Sequence, residues 1–151
     1  MNKLINETND FGFFWSCDEI ERGWYFGEIK ILIGETIYPA GNDELYTLKI
    51  VFSNLKESFV NKYYPAGITK NGEFGEKNFD VNKWGKLTLK DVFAIEVTEL
   101  GGGHTQLGLC MGYSGDSERL FYSFDNEKSF NEIRYPKGTV EKIIFSLPDF
   151  P

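Results

Sequence analysis

Along residues 106–113 bulky and small positions alternate. Leu107, Leu109, Met111 and Tyr113 are interleaved with Gln106, Gly108, Cys110 and Gly112. That period of two predicts a β-strand with one bulky apolar face. Residues 91–100, 105–113, 119–124 and 139–147 are all strand-length and rich in β-branched or aromatic side chains. Gly101-Gly102-Gly103, Ser114-Gly115-Asp116-Ser117 and Tyr135-Pro136-Lys137-Gly138 separate them, which predicts successive antiparallel strands. A sheet with one apolar face must be covered. The first half of the chain has to supply the cover, so a single domain over 1–151 is expected.

In that first half, residues 1–10 are polar and read as a loosely held lead-in. Residues 11–17 form a short aromatic strand, 18–23 a charged turn and 24–33 a long second strand. Gly34-Glu35 fits a two-residue hairpin loop with glycine first, the type II′ pattern. It leads into a short return strand, Thr36-Ile37-Tyr38, ended by Pro39. Residues 42–62 carry two patterns. Leu45, Leu48, Phe52, Leu55 and Phe59 recur at helical spacing, whereas 46–52 has strand composition. The expectation is a strand over 46–52 and a short helix over 55–61, opened by a capping box from Asn54 to Glu57. One helix throughout is the alternative. Residues 68–89 predict a long irregular connection pinned by Phe74, Phe79 and Trp84. The fold class is α+β, mainly β: an antiparallel sheet or β-sandwich with one short helix packed on it.

Composition sharpens this. Aromatics make up 17% of the 151 residues, which suits strands. A net charge of −7 argues against unspecific binding to nucleic acid or an anionic membrane, and favours a basic partner. Cys17 and Cys110 are the only cysteines and are expected as two buried thiols in a reducing compartment. No apolar run has the length of a signal or membrane segment, so a cytoplasmic, soluble protein is expected.

Candidate chemistry is sparse. His104 is the only histidine, and the cysteines lack ligand spacing, so zinc is poorly supported. Its neighbours Gly101-Gly102-Gly103 suggest a loop histidine facing solvent. The three glycines lack the following helix and the Gly-Lys-Ser/Thr of a phosphate loop. Ser114 or Ser117 with His104, or some carboxylate pair among 23 Asp and Glu, would be needed for hydrolysis, and no spacing selects either. No catalytic, metal or cofactor residues are assigned. Two acidic groups stand out. One is Asp18, Glu19 and Glu21. The other is Asp116, Glu118, Asp125 and Glu127, which surround one hairpin near one end of the sheet and are the candidate partner-binding rim. Trp15, Trp24, Tyr25, Phe26, Tyr63, Tyr64 and Trp84 offer a second reading, a carbohydrate-binding β-sandwich with a stacking platform.

Gly34-Glu35-Thr36-Ile37-Tyr38-Pro39, followed by Thr47-Leu48 and Leu55, resembles the early signature of the immunity protein 42 group. The run from Val92-Phe93-Ala94-Ile95-Glu96 through Leu107-Gly108 to Val140-Glu141-Lys142-Ile143-Ile144 is similar to the strand series that closes those chains. The resemblance implies a bacterial immunity protein made beside a secreted toxin, often one delivered by contact-dependent growth inhibition. It implies a cognate toxin C-terminal domain as partner, commonly a nuclease with a basic surface, blocked either by covering its active site or by docking elsewhere; the expected mechanism is stoichiometric occlusion. The expectations from the residues themselves, no enzymatic activity, no cofactor, and neither nucleic acid nor membrane as partner, are consistent with that role.

Overall fold

A computed structural model describes residues 1–41, 44–61, 92–97, 99–100, 106–114 and 116–151. The irregular connection expected over 68–89, the glycine tip 101–103, and His104, Tyr63, Tyr64 and Trp84 lie outside the described residues. The elements are β1 (Asn2–Ile5), β2 (Phe11–Trp15), β3 (Glu19–Glu21), β4 (Trp24–Gly27), β5 (Ile29–Ile33), β6 (Thr36–Tyr38) and β7 (Tyr46–Thr47). Then come α1 (Leu48–Asn61), β8 (Val92–Ile95), β9 (Gly108–Ser114), β10 (Ser117–Ser123), β11 (Asn131–Pro136) and α2 (Thr139–Phe145). The strands form three antiparallel sheets, ordered β1-β2-β5-β6, β11-β10-β9-β8 and β3-β4-β7. The architecture is α+β and mainly β, as the sequence pattern predicts.

One long hairpin, from β2 to β5, organises the first half. Its base pairs Phe11 with Ile33, Phe13 with Ile31 and Trp15 with Ile29, placing an apolar ladder on one face. Beyond Trp15 the strands fall out of step. Ser16 N–H donates to the Glu28 carbonyl at 3.1 Å and Asp18 N–H to the Phe26 carbonyl at 2.8 Å. Pairing resumes at Glu19 opposite Phe26. Ser16, Cys17 and Asp18 therefore stand opposite Gly27 and Glu28, one residue too many, which is a β-bulge. Ser16 Oγ staples it, accepting from Glu28 N–H at 3.1 Å and donating to Asp18 Oδ2 at 2.8 Å. Gly27 is required there, because a Cβ would sit 1.7 Å from the Ser16 carbonyl oxygen. The bulge turns the distal half, β3–β4, away from the first sheet, and β4 pairs with β7 instead. At the tip Arg22 (φ 51°) and Gly23 (φ 84°) are both left-handed, as a type I′ two-residue turn demands.

The core lies between the first and second sheets and under the helices. Phe11, Phe13, Ile31 and Ile33 meet Phe93, Leu109, Met111 and Leu120 in one cluster. Tyr135 crosses between the layers, its hydroxyl donating to the Asp10 carbonyl at 3.1 Å and its ring set edge-on to Phe11. Helix α1 buries Leu48, Val51, Phe52, Leu55 and Phe59 at intervals of three and four. Phe52 touches Trp15 and Phe150, and Lys56 holds the C-terminal tail through the Leu147 carbonyl at 2.7 Å.

Several expectations change. The lead-in contains a strand, β1, paired with β2 from Asn2–Trp15 to Ile5–Gly12. The expected strand over 24–33 is split at Glu28 by the bulge, and the charged turn contains β3. Of the expected strand 46–52 only Tyr46–Thr47 pairs, and the helix starts at Leu48, so the single-helix alternative is nearer. The Asn54–Glu57 pair lies inside that helix and does not cap it. The run 139–147 is helical at Thr139–Phe145, because Val140, Ile143, Ile144 and Leu147 recur at three, one and three and all point into the core. The chain thus has two helices among the described residues rather than one. Strand β11 takes in Tyr135 and Pro136, the first two residues of the expected turn over 135–138. The face opposite Leu109 and Met111 is not open either: Val92, Cys110, Phe121 and Phe130 form a second buried cluster. There Arg119, 1% exposed, forms a two-point ion pair with Glu132 (2.6 and 3.0 Å). Cys17 is exposed, not buried, and both cysteines are free thiols.

Two substitutions test the hairpin. Gly27→Ala should destabilise the fold by about 3 kcal/mol, since a Cβ 1.7 Å from the Ser16 carbonyl oxygen can be relieved only by moving backbone. Arg22→Asn should stabilise it by roughly 0.5–1 kcal/mol by relieving the left-handed strain. Chemical denaturation measures both, and a Gly27→Ala chain as stable as the parent would contradict the bulge geometry.

Candidate functional site

The four carboxylates of the expected rim do not form one cluster. Asp116 is exposed in the β9–β10 turn, while Asp125 and Glu127 are exposed in the β10–β11 loop. Strand β10 has seven residues, about 20 Å of extended chain, and holds the two loops at opposite ends. Glu118 is fully buried on the inner face of β10. Its Oε1 accepts from Val140 N–H at 3.0 Å and its Oε2 from Glu141 N–H at 3.2 Å, so both oxygens serve the first turn of α2. Burial pushes the Glu118 carboxyl above its usual range, against the lowering effect of those N–H groups. The side chain that looked like a rim acid is an internal cap, with no surface to offer.

Asp125 is exposed yet tightly held. Its carboxylate accepts from the Ser129 hydroxyl and backbone N–H and from the Ser123 hydroxyl. These bonds, the Ser129 hydroxyl first, bring its pKa down to about 2. Next to it, Asn126 and Glu127 are both left-handed (φ 60° and 64°), and the Glu127 stem lies over Gly108.

Two grooves flank the sheets. One, of about 460 Å³, runs between the C-terminal half of α1 and β8–β9, with Glu57, Glu96, Glu127 and Asn54 on its walls. Ser58 spans its floor, Oγ accepting from Glu96 N–H and donating to the Asn54 carbonyl, each at 2.8 Å. The other, of about 520 Å³, lies between the edge strand β1 and α2, with Leu4, Ile5 and Ile143 below Lys137 and Lys142. The charged side chains of the first groove are all carboxylates, whereas the second sets Glu7 beside the two lysines. Among the described residues, no group of three or more His, Cys, Asp or Glu is placed to hold a metal. Burial, and secondarily the Glu127 carboxylate, push the Cys110 thiol far up, which suits a packing residue and not a nucleophile. No helix among the described residues is long and apolar enough to cross a membrane.

The other acidic group is placed differently. Asp18, Glu19 and Glu21 are all exposed on the β3–β4 hairpin beside Ile20 and Trp24. Alternation of Glu19-Ile20-Glu21 before a Gly turn was the signal for this hairpin, and reading 18–23 as a turn missed it. Glu57 and Glu96 had no local signal, because α1 and β8 are distant in sequence. Of the aromatics considered as a stacking platform, Trp15 packs edge-on against Phe52 at 5.6 Å and Tyr25 against Phe150 at 5.5 Å. Trp24 is the exposed ring among those described, so they make no row for a sugar.

The depressed Asp125 pKa makes this loop acid-sensitive. A carboxyl depressed on folding contributes stability above its unfolded value of 3.8, and that contribution is lost as pH falls toward about 2. In an NMR titration, Ser129→Ala should move the Asp125 pKa up toward the ordinary range. An unmoved value would mean the loop hydrogen bonds do not set it.

No curated protein and no solved structure matches the chain. The family model described as Immunity protein 42 matches residues 5–150. That span runs from the end of β1 through α2 and includes the β3–β4 hairpin. The chain belongs to the immunity protein 42 family.

Proposed function

We propose that the protein neutralises a cognate toxin domain by binding it one to one and occluding it, without chemistry of its own. Membership of an immunity family, matched over residues 5–150, is the observation that carries this. A net charge of −7, with exposed carboxylates at both ends of β10 and on the β3–β4 hairpin, supports a basic partner. A nuclease toxin has such a surface, because it must hold a polyanion. The toxin is delivered by contact between cells and met in the cytoplasm. In this reading Asp116, Asp125 and Glu127 steer the encounter through long-range potential, while Glu118 keeps the sheet and α2 together behind them.

Co-expression with the C-terminal domain encoded by the adjacent upstream gene is the test. Growth should be rescued, and the two chains should co-purify as a one-to-one complex. Continued growth arrest with no complex would refute the neutraliser reading. Steering has its own signature: raising salt from 50 to 500 mM should slow association about tenfold and leave dissociation nearly unchanged. Asp116→Asn with Glu127→Gln should slow low-salt association by roughly two- to fivefold. Equal on-rates for parent and variant would remove both residues from the steering set.

A further inference from the structure

The β3–β4 hairpin has features that internal packing does not explain. All three residues of β3 are exposed. Ile20 is 63% and Trp24 43% exposed, large apolar side chains standing at the tip of the long hairpin that runs from β2 to β5. They point to opposite faces. Ile20 is paired with Tyr25 across the hairpin and Glu21 with Trp24, so Trp24 shares its face with Glu19 and Glu21 while Ile20 lies on the other. Lys49 reaches over the Trp24 ring at 5.7 Å from its centre, and leaves it partly open. The root is fixed, by contrast: Tyr25 packs against Phe150, and Gly27 pairs with buried Tyr46. The bulge between Trp15 and Glu19 holds the tip off the main sheet. Strand β3 is also an edge, and the carboxylates on either side of Ile20 discourage pairing with another strand while keeping the side chain free.

We infer that this hairpin is the docking element, a blade that enters a basic cleft of the toxin domain, with Trp24 and Ile20 as apolar anchors on its two faces and Asp18, Glu19 and Glu21 against cationic walls. This rests on the neutraliser reading and names the surface that performs it. Apolar groups on both faces suit insertion between two walls better than contact with a flat surface. Opposed aromatic and aliphatic anchors inside a charged surround are the arrangement that concentrates binding energy in few residues. The local charge identifies the partner chemistry: three carboxylates lie within four residues of sequence, so the cleft that accepts them must supply Lys or Arg.

Binding of the full chain to the upstream-encoded toxin domain, inactivated at its active site, tests this by surface-immobilised kinetics. Trp24→Ala with Ile20→Ser should weaken the complex by at least about 30-fold, mostly through faster dissociation. Glu19→Lys with Glu21→Lys touches no packed side chain and should slow low-salt association about tenfold, which keeps the test open if the first variant unfolds. Ile37→Ser, an equally exposed apolar residue on β6, should bind like the parent. If the parent binds and both hairpin variants bind within threefold of it, the blade is overturned and the neutraliser stands. If Ile37→Ser weakens binding as much as the hairpin variants, the blade is overturned too. A parent that does not bind the toxin domain defeats both.

Discussion

The close approach of Gly27 to the Ser16 carbonyl is the constraint on which the shape of the first half depends. A continuous ladder from β2–β5 into β3–β4 would have produced one long flat ribbon. The extra residue among Ser16–Asp18 forces a bend, and only a residue without a side chain can occupy the inside of it. Below the bend the hairpin is core: Phe11, Phe13, Ile31 and Ile33 are all at most 1% exposed. Above it, β3 is exposed throughout, and β4 is exposed at Trp24 and half-buried at Tyr25 and Phe26. One covalent hairpin is therefore both the main wall of the hydrophobic interior and a projection from it, and the tip is held by the stability of the base.

The acidic residues divide the same way, and composition could not show it. Glu118 and Glu132 are spent inside. Glu118 satisfies two N–H groups of α2 that would otherwise be left unpaired within the core. Burial raises the pKa of Glu132, but the guanidinium groups of Arg119 and Arg134 outweigh it and hold the carboxyl below its usual range. Removing one member of such a pair leaves a desolvated charge, so these residues answer to packing before they answer to a partner. Asp125 ties down its own loop. What remains for long-range potential is a smaller set, in which position relative to the bend matters more than number.

Much of the strand content was legible. Thr36-Ile37-Tyr38 returns from Gly34 (φ 62°) as the glycine-first loop predicts, and the alternation over 107–113 puts Leu109, Met111 and Tyr113 on the buried face. The failures have one physical source. Propensity describes a residue alone, whereas burial is settled by what lies across from it. Ile50 and Val51 look like strand residues, yet the stripe from Leu48 to Phe59 gains more by packing as a helix. Val140, Ile143 and Ile144 repeat that lesson, since a β-branched run hid a helical period. Glu118 looked like a surface acid because nothing local reveals that a helix starting 21 residues later sets its first turn against its carboxylate. The bulge had no signature beyond a glycine at 27.

A protein that works by binding needs two things that oppose each other. It must expose apolar area to gain affinity, and must keep that area from collapsing onto itself or onto another copy. The β3–β4 hairpin meets both demands by local means. Alternation sends Ile20 and Trp24 to opposite faces, too far apart to bury each other. Asp18, Glu19 and Glu21 surround them with charge that repels a second acidic chain and attracts a basic one. The bend keeps both side chains clear of the main sheet. On the proposed reading, steering by distant carboxylates and anchoring by two apolar side chains would act on different rates, the first on encounter and the second on escape.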